Sequence, residues 1–131
     1  MIHAVVTCGR VLHDTATGLH TLVDVQLGVA TPELPCERSL CFYLTLSGLL
    51  GASEVTIEVV RLADEQVLLR GNLALEVAAG RDDLFGLATP PALLRFDQAG
   101  RHELRVHQGD QVAARQPFDV RLVAPAAPAD A

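Results

Sequence analysis

Two histidines beside a turn are the first candidates for chemistry in this sequence. His13 and His20 flank the segment that runs from Asp14 to Gly18, so a hairpin there would bring both imidazoles together with the Asp14 carboxylate. Both groups are metal ligands, but a structural zinc site takes about four ligands and a catalytic one about three. Two histidines and one carboxylate are too few, so we expect no metal or other cofactor. A site at His13 and His20 stays open as an alternative.

Three cysteines are the next reactive groups. Cys36 and Cys41 are five residues apart and do not form a CxxC pair, and Cys8 is distant in sequence. Cys8 falls among alternating apolar positions, which predicts a small buried side chain in the core. The sequence around the three thiols matches no nucleophile signature, and it contains neither a serine-nucleophile motif nor a glycine-rich phosphate loop. We therefore predict no catalytic residue.

Composition and charge favour some kinds of partner over others. The 131 residues carry a net charge of −6 and include no Trp, one Tyr and four Phe. This balance lacks the basic stripe that nucleic acids require, and it supplies few rings for stacking on bases or sugars. No apolar run approaches the ~20 residues of a membrane span, and the apolar start lacks a secretory signal's basic end and cleavage site. An odd number of cysteines also differs from a disulfide framework. The expected setting is the bacterial cytoplasm, without nucleic acid or membrane partners.

The elements that must position these residues follow a period of two, which is typical of half-buried strands. In the closing stretch Leu104 and Val106 alternate with charged residues, and Gly109-Asp110 is a hairpin turn signal. Pro90-Pro91 breaks the segment from Leu84 to Phe96. The strand segments are predicted at 2–13, 19–29, 38–49, 54–62, 66–78, two short pieces within 84–96, and the closing hairpin from 101 to 122. We predict an all-β, immunoglobulin-like antiparallel sandwich of about seven to nine strands over residues 1–123, with a disordered tail at 124–131.

One strand face is unusual in having no charge. In the third strand, apolar residues point to the core, and the opposite face carries Ser39, Cys41, Tyr43, Thr45 and Ser47. Exposed strands often carry Lys or Glu, whereas the centre of a protein interface is depleted of charge and enriched in Tyr. We therefore predict a non-catalytic binding or scaffolding module that associates with a protein partner or with itself through this face. One alternative is that this face is covered by a loop or by the proline-rich segment near Pro90. The others are a small enzyme with its site between the sheets or at a hairpin end, and a barrel that carries a small ligand.

The whole chain also resembles a family of small uncharacterised bacterial β-sandwich domains. The resemblance rests on the opening hairpin HAVVTCGRVLHDTATGLHTLVDVQL, on the central strand LCFYLTLSGL, and on Phe96, Gly100 and QPFDVRLV near the end. Members usually have an aromatic residue after the loop glycine, where this chain has His102. The resemblance implies the sandwich fold and supplies no catalytic residues.

Overall fold

The computed structural model describes residues 2–48, 51–77 and 84–124, and these contain ten strands and no helix. The strands are β1 (Ile2–His13), β2 (His20–Val25), β3 (Gly28–Thr31), β4 (Cys36–Leu46), β5 (Gly51–Arg61), β6 (Gln66–Val77), β7 (Phe85–Ala88), β8 (Ala92–Phe96), β9 (Gly100–Gln108) and β10 (Gln111–Leu122). The predicted all-β, immunoglobulin-like sandwich is confirmed. The described strands number ten, one more than the upper end of the predicted range, because the segment predicted as one strand at 19–29 is two strands. The predicted tail at 124–131 lies, from residue 125 onward, outside the described residues.

Two sheets form the sandwich. Sheet A has the order β2-β1-β4-β7, and β8 pairs with β4 beside β7. Sheet B has the order β3-β10-β9-β5-β6. All pairs are antiparallel except β3 with β10, which run parallel. Antiparallel sheets that face each other bury one row of alternating side chains per strand, and that row is what the sequence pattern revealed.

The core lies between the sheets and is built from those alternating rows. From sheet A it takes Leu40, Phe42, Leu44 and Leu46, and from sheet B it takes Val55, Ile57, Val59, Leu104, Val106, Phe118 and Val120. Phe96 is fully buried and stacks on Phe118 with ring centroids 6.0 Å apart. His102 is 1% exposed, meets the edge of Phe96, and lies 3.0 Å through Nδ1 from the Gly100 carbonyl oxygen. A histidine therefore occupies a core position where an aromatic residue was expected.

The predicted second strand, 19–29, is in fact two strands in different sheets. β2 ends at Val25 in sheet A, and after Gln26 and Leu27 the chain enters sheet B as β3. Asp24 adopts a φ of 55°, a left-handed conformation that bends the chain just before the crossing. Gly28 permits the parallel pairing, because a Cβ there would collide with the Asp119 carbonyl oxygen. Apolar alternation continues across the bend, so the pattern alone could not show it.

Two predicted breaks are observed. Gly109 has a φ of 61° in the turn between β9 and β10, the conformation that tight hairpins require of their first turn residue. Pro90 and Pro91 separate β7 from β8, and both strands pair with β4. Between them Thr89 bridges the gap: its N–H donates to the Phe42 carbonyl, and its hydroxyl accepts from the Phe42 N–H, each at 2.9 Å. The edge of β4 is thus covered along its length by two short strands rather than one.

Candidate functional site

The predicted association face lies on β4, at the centre of sheet A, with its side chains on the side away from the core. Ser39 is exposed, Cys41 is buried at 3% exposure, and Tyr43, Thr45 and Ser47 are half-buried. The last three lie next to one another toward the C-terminal end of β4, where Ser47 and His3 of β1 share a hydrogen bond. Cys41 is separated from solvent, so the surface available to a partner begins at Tyr43.

The tip of the β1–β2 hairpin reaches over this face. The Tyr43 hydroxyl and His20 Nδ1 share a hydrogen bond of 3.0 Å, and the rings are tilted with centroids 5.2 Å apart. His20 in turn stacks on His13, its cross-strand partner, with centroids 4.6 Å apart. The hairpin therefore does part of what a covering loop would do. The cover is the hairpin tip rather than the segment near Pro90.

A glycine on β7 leaves room for the tyrosine. Gly86 is the register partner of Thr45, and a Cβ added to it would overlap the Tyr43 hydroxyl and ring. The Tyr43 ring can lie across β7 only because Gly86 has no side chain. Tyr43 is held between Gly86 below and His20 beside it, which fixes the ring's orientation.

Around Tyr43 the surface forms a groove of about 500 Å³, which we call the Tyr43 groove. It is lined by residues 18–20 of the hairpin, by Tyr43 and Thr45, and by residues 84–86. Leu19 and Leu84 stand at its rim with 67% and 66% of their surfaces exposed. Its described lining contains no Asp, Glu, Lys or Arg, and His20 is the one imidazole. The arrangement offers apolar contact and a few hydrogen bonds, which is the chemistry of recognition.

The three thiols are divided between the two faces of sheet A. Cys36 is on the core side. Cys8 is fully buried on the outer side, and its direct register partner on β4 is Cys41. Burial raises the pKa of the Cys8 thiol, and the neighbouring Cys41 raises it further, so Cys8 is a poor nucleophile at neutral pH. Cys8 is buried, as predicted, but it lies on the outer side of sheet A rather than between the sheets, because its register with β4 decides which side it takes.

His13, His20 and Asp14 do lie near one another, as the spacing predicted. The Asp14 carboxylate, however, serves the turn: its Oδ1 accepts the Ala16 N–H at 2.9 Å and the Thr17 N–H at 3.4 Å. These hydrogen bonds lower the pKa of Asp14 below its usual value, and the bond from Ala16 has the largest effect. Within residues 2–48, 51–77 and 84–124 no three His, Cys, Asp or Glu side chains are placed to hold a metal ion.

The outer face of sheet B has the opposite character, with charged side chains arranged in cross-strand pairs. Glu103 accepts hydrogen bonds from Arg105 at 2.8 Å and from Arg115 at 2.7 Å, and the Arg105 bond is the main reason that the pKa of Glu103 is lowered. Glu58 is only 9% exposed. The ion pairs of this face are Arg70–Glu58, Arg105–Glu103, Arg105–Glu65 and Arg115–Glu103, and His107 Nε2 lies 3.3 Å from a Glu58 carboxylate oxygen. Sequence alternation predicted the outward side for Glu58, Glu103 and Arg105, whereas the pairing of these residues depends on register.

Two further hollows bear on the alternative functions. A slot of about 230 Å³ opens between β6 and the β7–β8 break, and its lining includes Phe42, Ile57, Leu69 and Pro90 but no His, Asp, Glu or Cys. It therefore offers no described group for acid–base or nucleophilic catalysis. A broader surface hollow of about 590 Å³ lies between residues 25–30 and the side chains of Arg38, Asp119 and Arg121. Arg38 already donates to the Glu37 carbonyl, and Asp119 is anchored by backbone pairing to β3.

Comparison with known proteins adds little to this geometry. No protein-family model matches the chain, and no curated protein sequence matches it. Among solved structures, an immunoglobulin-like protein from Pseudomonas aeruginosa is similar at 15% identity, over 91% of this chain and 98% of that one, with a TM-score of 0.34. A score that low carries no weight beside the two sheets themselves. Separately, the described residues form no helix with the length and apolarity that crossing a bilayer demands.

Proposed function

We propose that this protein is a non-catalytic association module that binds a second copy of itself or another protein through the Tyr43 groove. The observation that carries the proposal is a groove whose described lining is uncharged and holds an oriented tyrosine, flanked by two leucines that are each two-thirds exposed. Fully burying one leucine side chain contributes roughly 1.5–3 kcal/mol. Burial of the exposed Leu19 and Leu84 against a partner would therefore favour binding.

The contrast between the two outer faces supports placing the association on sheet A. On sheet B, Glu58, Glu103 and Arg105 already form ion pairs with neighbouring side chains, and such a solvated layer resists close approach by another surface. On sheet A no charged side chain is among the described residues that line the groove around Tyr43 and Thr45. Depletion of charge together with a tyrosine anchor is the compositional mark of an interface core.

The alternatives receive less support from the site. An enzyme between the sheets would need titratable groups facing a cavity, and the inter-sheet slot has none among its described lining residues. A barrel that carries its ligand between the sheets would need a pocket of about 300–1,000 Å³ there, and the inter-sheet slot of about 230 Å³ falls below that range. The hairpin tip covers only part of the outer face of β4, because the Tyr43 groove stays open beside it.

The proposal also covers the cellular location of the protein and the family to which it belongs. We place the protein in the bacterial cytoplasm, without membrane or nucleic acid partners, on its net charge of −6 and its odd number of cysteines. We also propose that it belongs with the small bacterial β-sandwich domains that its strand pattern resembles. Isolation of the protein with its thiols free from the cell's soluble fraction is the expected result; recovery from membranes or the periplasm would contradict the placement.

The test of association uses Leu84→Glu at the groove rim, matched by Leu122→Glu on sheet B. Both leucines are exposed, at 66% and 58%, so neither change should unfold the monomer. In sedimentation velocity over a concentration series, we expect wild type and Leu122→Glu to associate alike and Leu84→Glu to associate at least about tenfold more weakly. Thermal melts of all three should coincide.

A binding signal specific to the groove is also accessible. The chain contains one tyrosine and no tryptophan, so intrinsic fluorescence reports on Tyr43 alone. Association through the groove should shift this emission with concentration, whereas association elsewhere should leave it unchanged. A wild type that stays monomeric, keeps constant Tyr43 emission and yields no partner would overturn the proposal. Tyr43→Arg is a less specific variant, because losing the bond to His20 is expected to destabilise the fold as well.

A further inference from the structure

We propose that Cys8 and Cys41 form a redox-active dithiol that closes to a cross-strand disulfide between β1 and β4. The two residues are direct antiparallel register partners, so their side chains project from the same face of sheet A. Both are free thiols in the structure. No function described above uses either of them, and the inference stands independently of the association proposal.

The spacing of antiparallel partners suits the crosslink. Directly opposed residues have Cα atoms about 4.5 or 5.5 Å apart, and disulfides span about 4.4–6.8 Å between Cα atoms. The Cβ atoms of such partners are about 4.5–5.5 Å apart, whereas a disulfide needs about 3.5–4.5 Å. The two strands must therefore approach one another by up to about 1 Å at this position.

Register and facing also select this pair among the three cysteines. Cys36 belongs to the core side of β4, where its register partner is Phe96 of β8. Cys41 is on the other side of the same strand, so a Cys36–Cys41 bond would have to pass through the sheet. Cys8 and Cys36 face opposite sides for the same reason. Cys8 and Cys41 therefore share one face of sheet A, and Cys36 lies alone on the core side.

The surroundings make the reaction ordered and slow in the folded state. Cys8 is fully buried, while Cys41 retains 3% exposure and lies 3.6 Å through Sγ from the Gly9 carbonyl oxygen. With oxidised glutathione as the oxidant, the Cys41 thiolate attacks one glutathione sulfur and releases one glutathione thiolate, which takes up the proton that Cys41 lost. Cys8 then loses its proton and attacks the Cys41 sulfur of the mixed disulfide. This releases a second glutathione, so two protein thiols are oxidised as one glutathione disulfide is reduced.

The bond would close a loop of about 33 residues that contains β2, β3 and the crossing between the sheets. Loop closure of this length restricts the unfolded chain, and it corresponds to a rise in melting temperature of about 10 °C where the native geometry accepts the bond. Oxidation would thereby add a covalent link between β1 and β4 to the backbone pairing that the reduced protein already has.

The experiment equilibrates the full chain with glutathione buffers of increasing oxidation, in two arms. One arm starts from the folded reduced protein and tests access; the other refolds reduced, denatured protein in the same buffers and tests geometry without the barrier of burial. We expect a mass loss of two hydrogen atoms, one remaining thiol, and a proteolytic peptide that joins Cys8 to Cys41. Cys36→Ala should keep the crosslink, and Cys41→Ser should abolish it and the thermal shift together.

Other results would overturn the inference. Refolded protein that retains three thiols in the most oxidising buffer, or that carries only glutathione adducts, would show that the strands cannot approach closely enough. Crosslinks that involve Cys36 as often as Cys8 would show that the register does not select the pair. Formation in the refolding arm alone would confirm the geometry of the pair but overturn its redox activity in the folded protein, because burial would then prevent oxidation.

Discussion

Replacing Phe118 with alanine tests the buried centre of the sandwich. Phe118 is 3% exposed, pairs in register with His102, and stacks at 6.0 Å on Phe96, which is fully buried. Truncating a buried phenylalanine costs roughly 3–5 kcal/mol, from the lost transfer free energy and from the cavity left behind. The ring pair adds about 0.5–1.5 kcal/mol that alanine cannot recover. Because Phe96 and His102 are held by strands, the cavity cannot close easily, and we expect a loss in the upper half of the range.

Asp119→Ala is the matched control, one residue along the same strand. Asp119 faces outward and is half-buried, and its Oδ1 is enclosed without a hydrogen bond from the described residues. Removing an unsatisfied buried oxygen relieves a desolvation cost, so the free energy of unfolding should change by less than about 0.5 kcal/mol or rise slightly.

Urea denaturation followed by circular dichroism measures both variants. With a urea slope of about 2 kcal/mol/M, the Phe118→Ala midpoint should fall by about 2 M while the Asp119→Ala midpoint stays near wild type. Equal losses, or a larger loss for Asp119→Ala, would refute the assignment of Phe118 to the core row of β10. A changed slope in Phe118→Ala would instead show that the native or unfolded state has altered in compactness.

Three further predictions concern acid stability, the groove and the tail. The pKa of Asp64 is lowered from 3.8 to about 2, chiefly by its hydrogen bonds from Arg61. The stability that this interaction adds to the folded protein is fully present above the pKa of Asp64 in the unfolded chain, and it is lost as the pH falls through about 2. Asp64→Asn should therefore weaken the decline of the melting temperature between pH 3.8 and about 2, and an unchanged decline would contradict the pairing. Gly86→Ala should displace the Tyr43 ring, change its fluorescence and cost about 1–3 kcal/mol, as overpacking does; an unchanged emission spectrum would show that the ring does not lie on β7. Deleting residues 124–131 should leave the melting temperature nearly unchanged, and a loss of several degrees would show a docked tail.

The sequence was informative wherever a residue's position depends on its own strand. The alternation around Phe42, Val106 and Phe118 predicted the buried row correctly, because a period of two directly encodes which face is covered. The fold class, the closing hairpin and the break at Pro90-Pro91 followed from such local signals.

What the sequence could not show depends on contacts between distant segments. The facing of Cys8 and Cys41 is set by the β1–β4 register, and the bond from Tyr43 to His20 by the path of the hairpin tip. The change of sheet after Val25 carries no break in apolar alternation. In each case the determining neighbour is far away along the chain, and one sequence pattern contains no information about it.

The parallel pairing of β3 with β10 has a consequence for synthesis on the ribosome. Among the described strands, β3 has β10 as its one neighbour in sheet B, and their register joins Thr31 to Leu122. A growing chain therefore exposes β3 unpaired until the segment that forms β10 has been translated. Pairing across so many residues also slows folding, because the entropic cost of closing the intervening loop comes before the strand contacts can form. We expect nascent chains that end before β10 to be protease-sensitive around residues 26–31, and to become resistant there once that last strand has emerged.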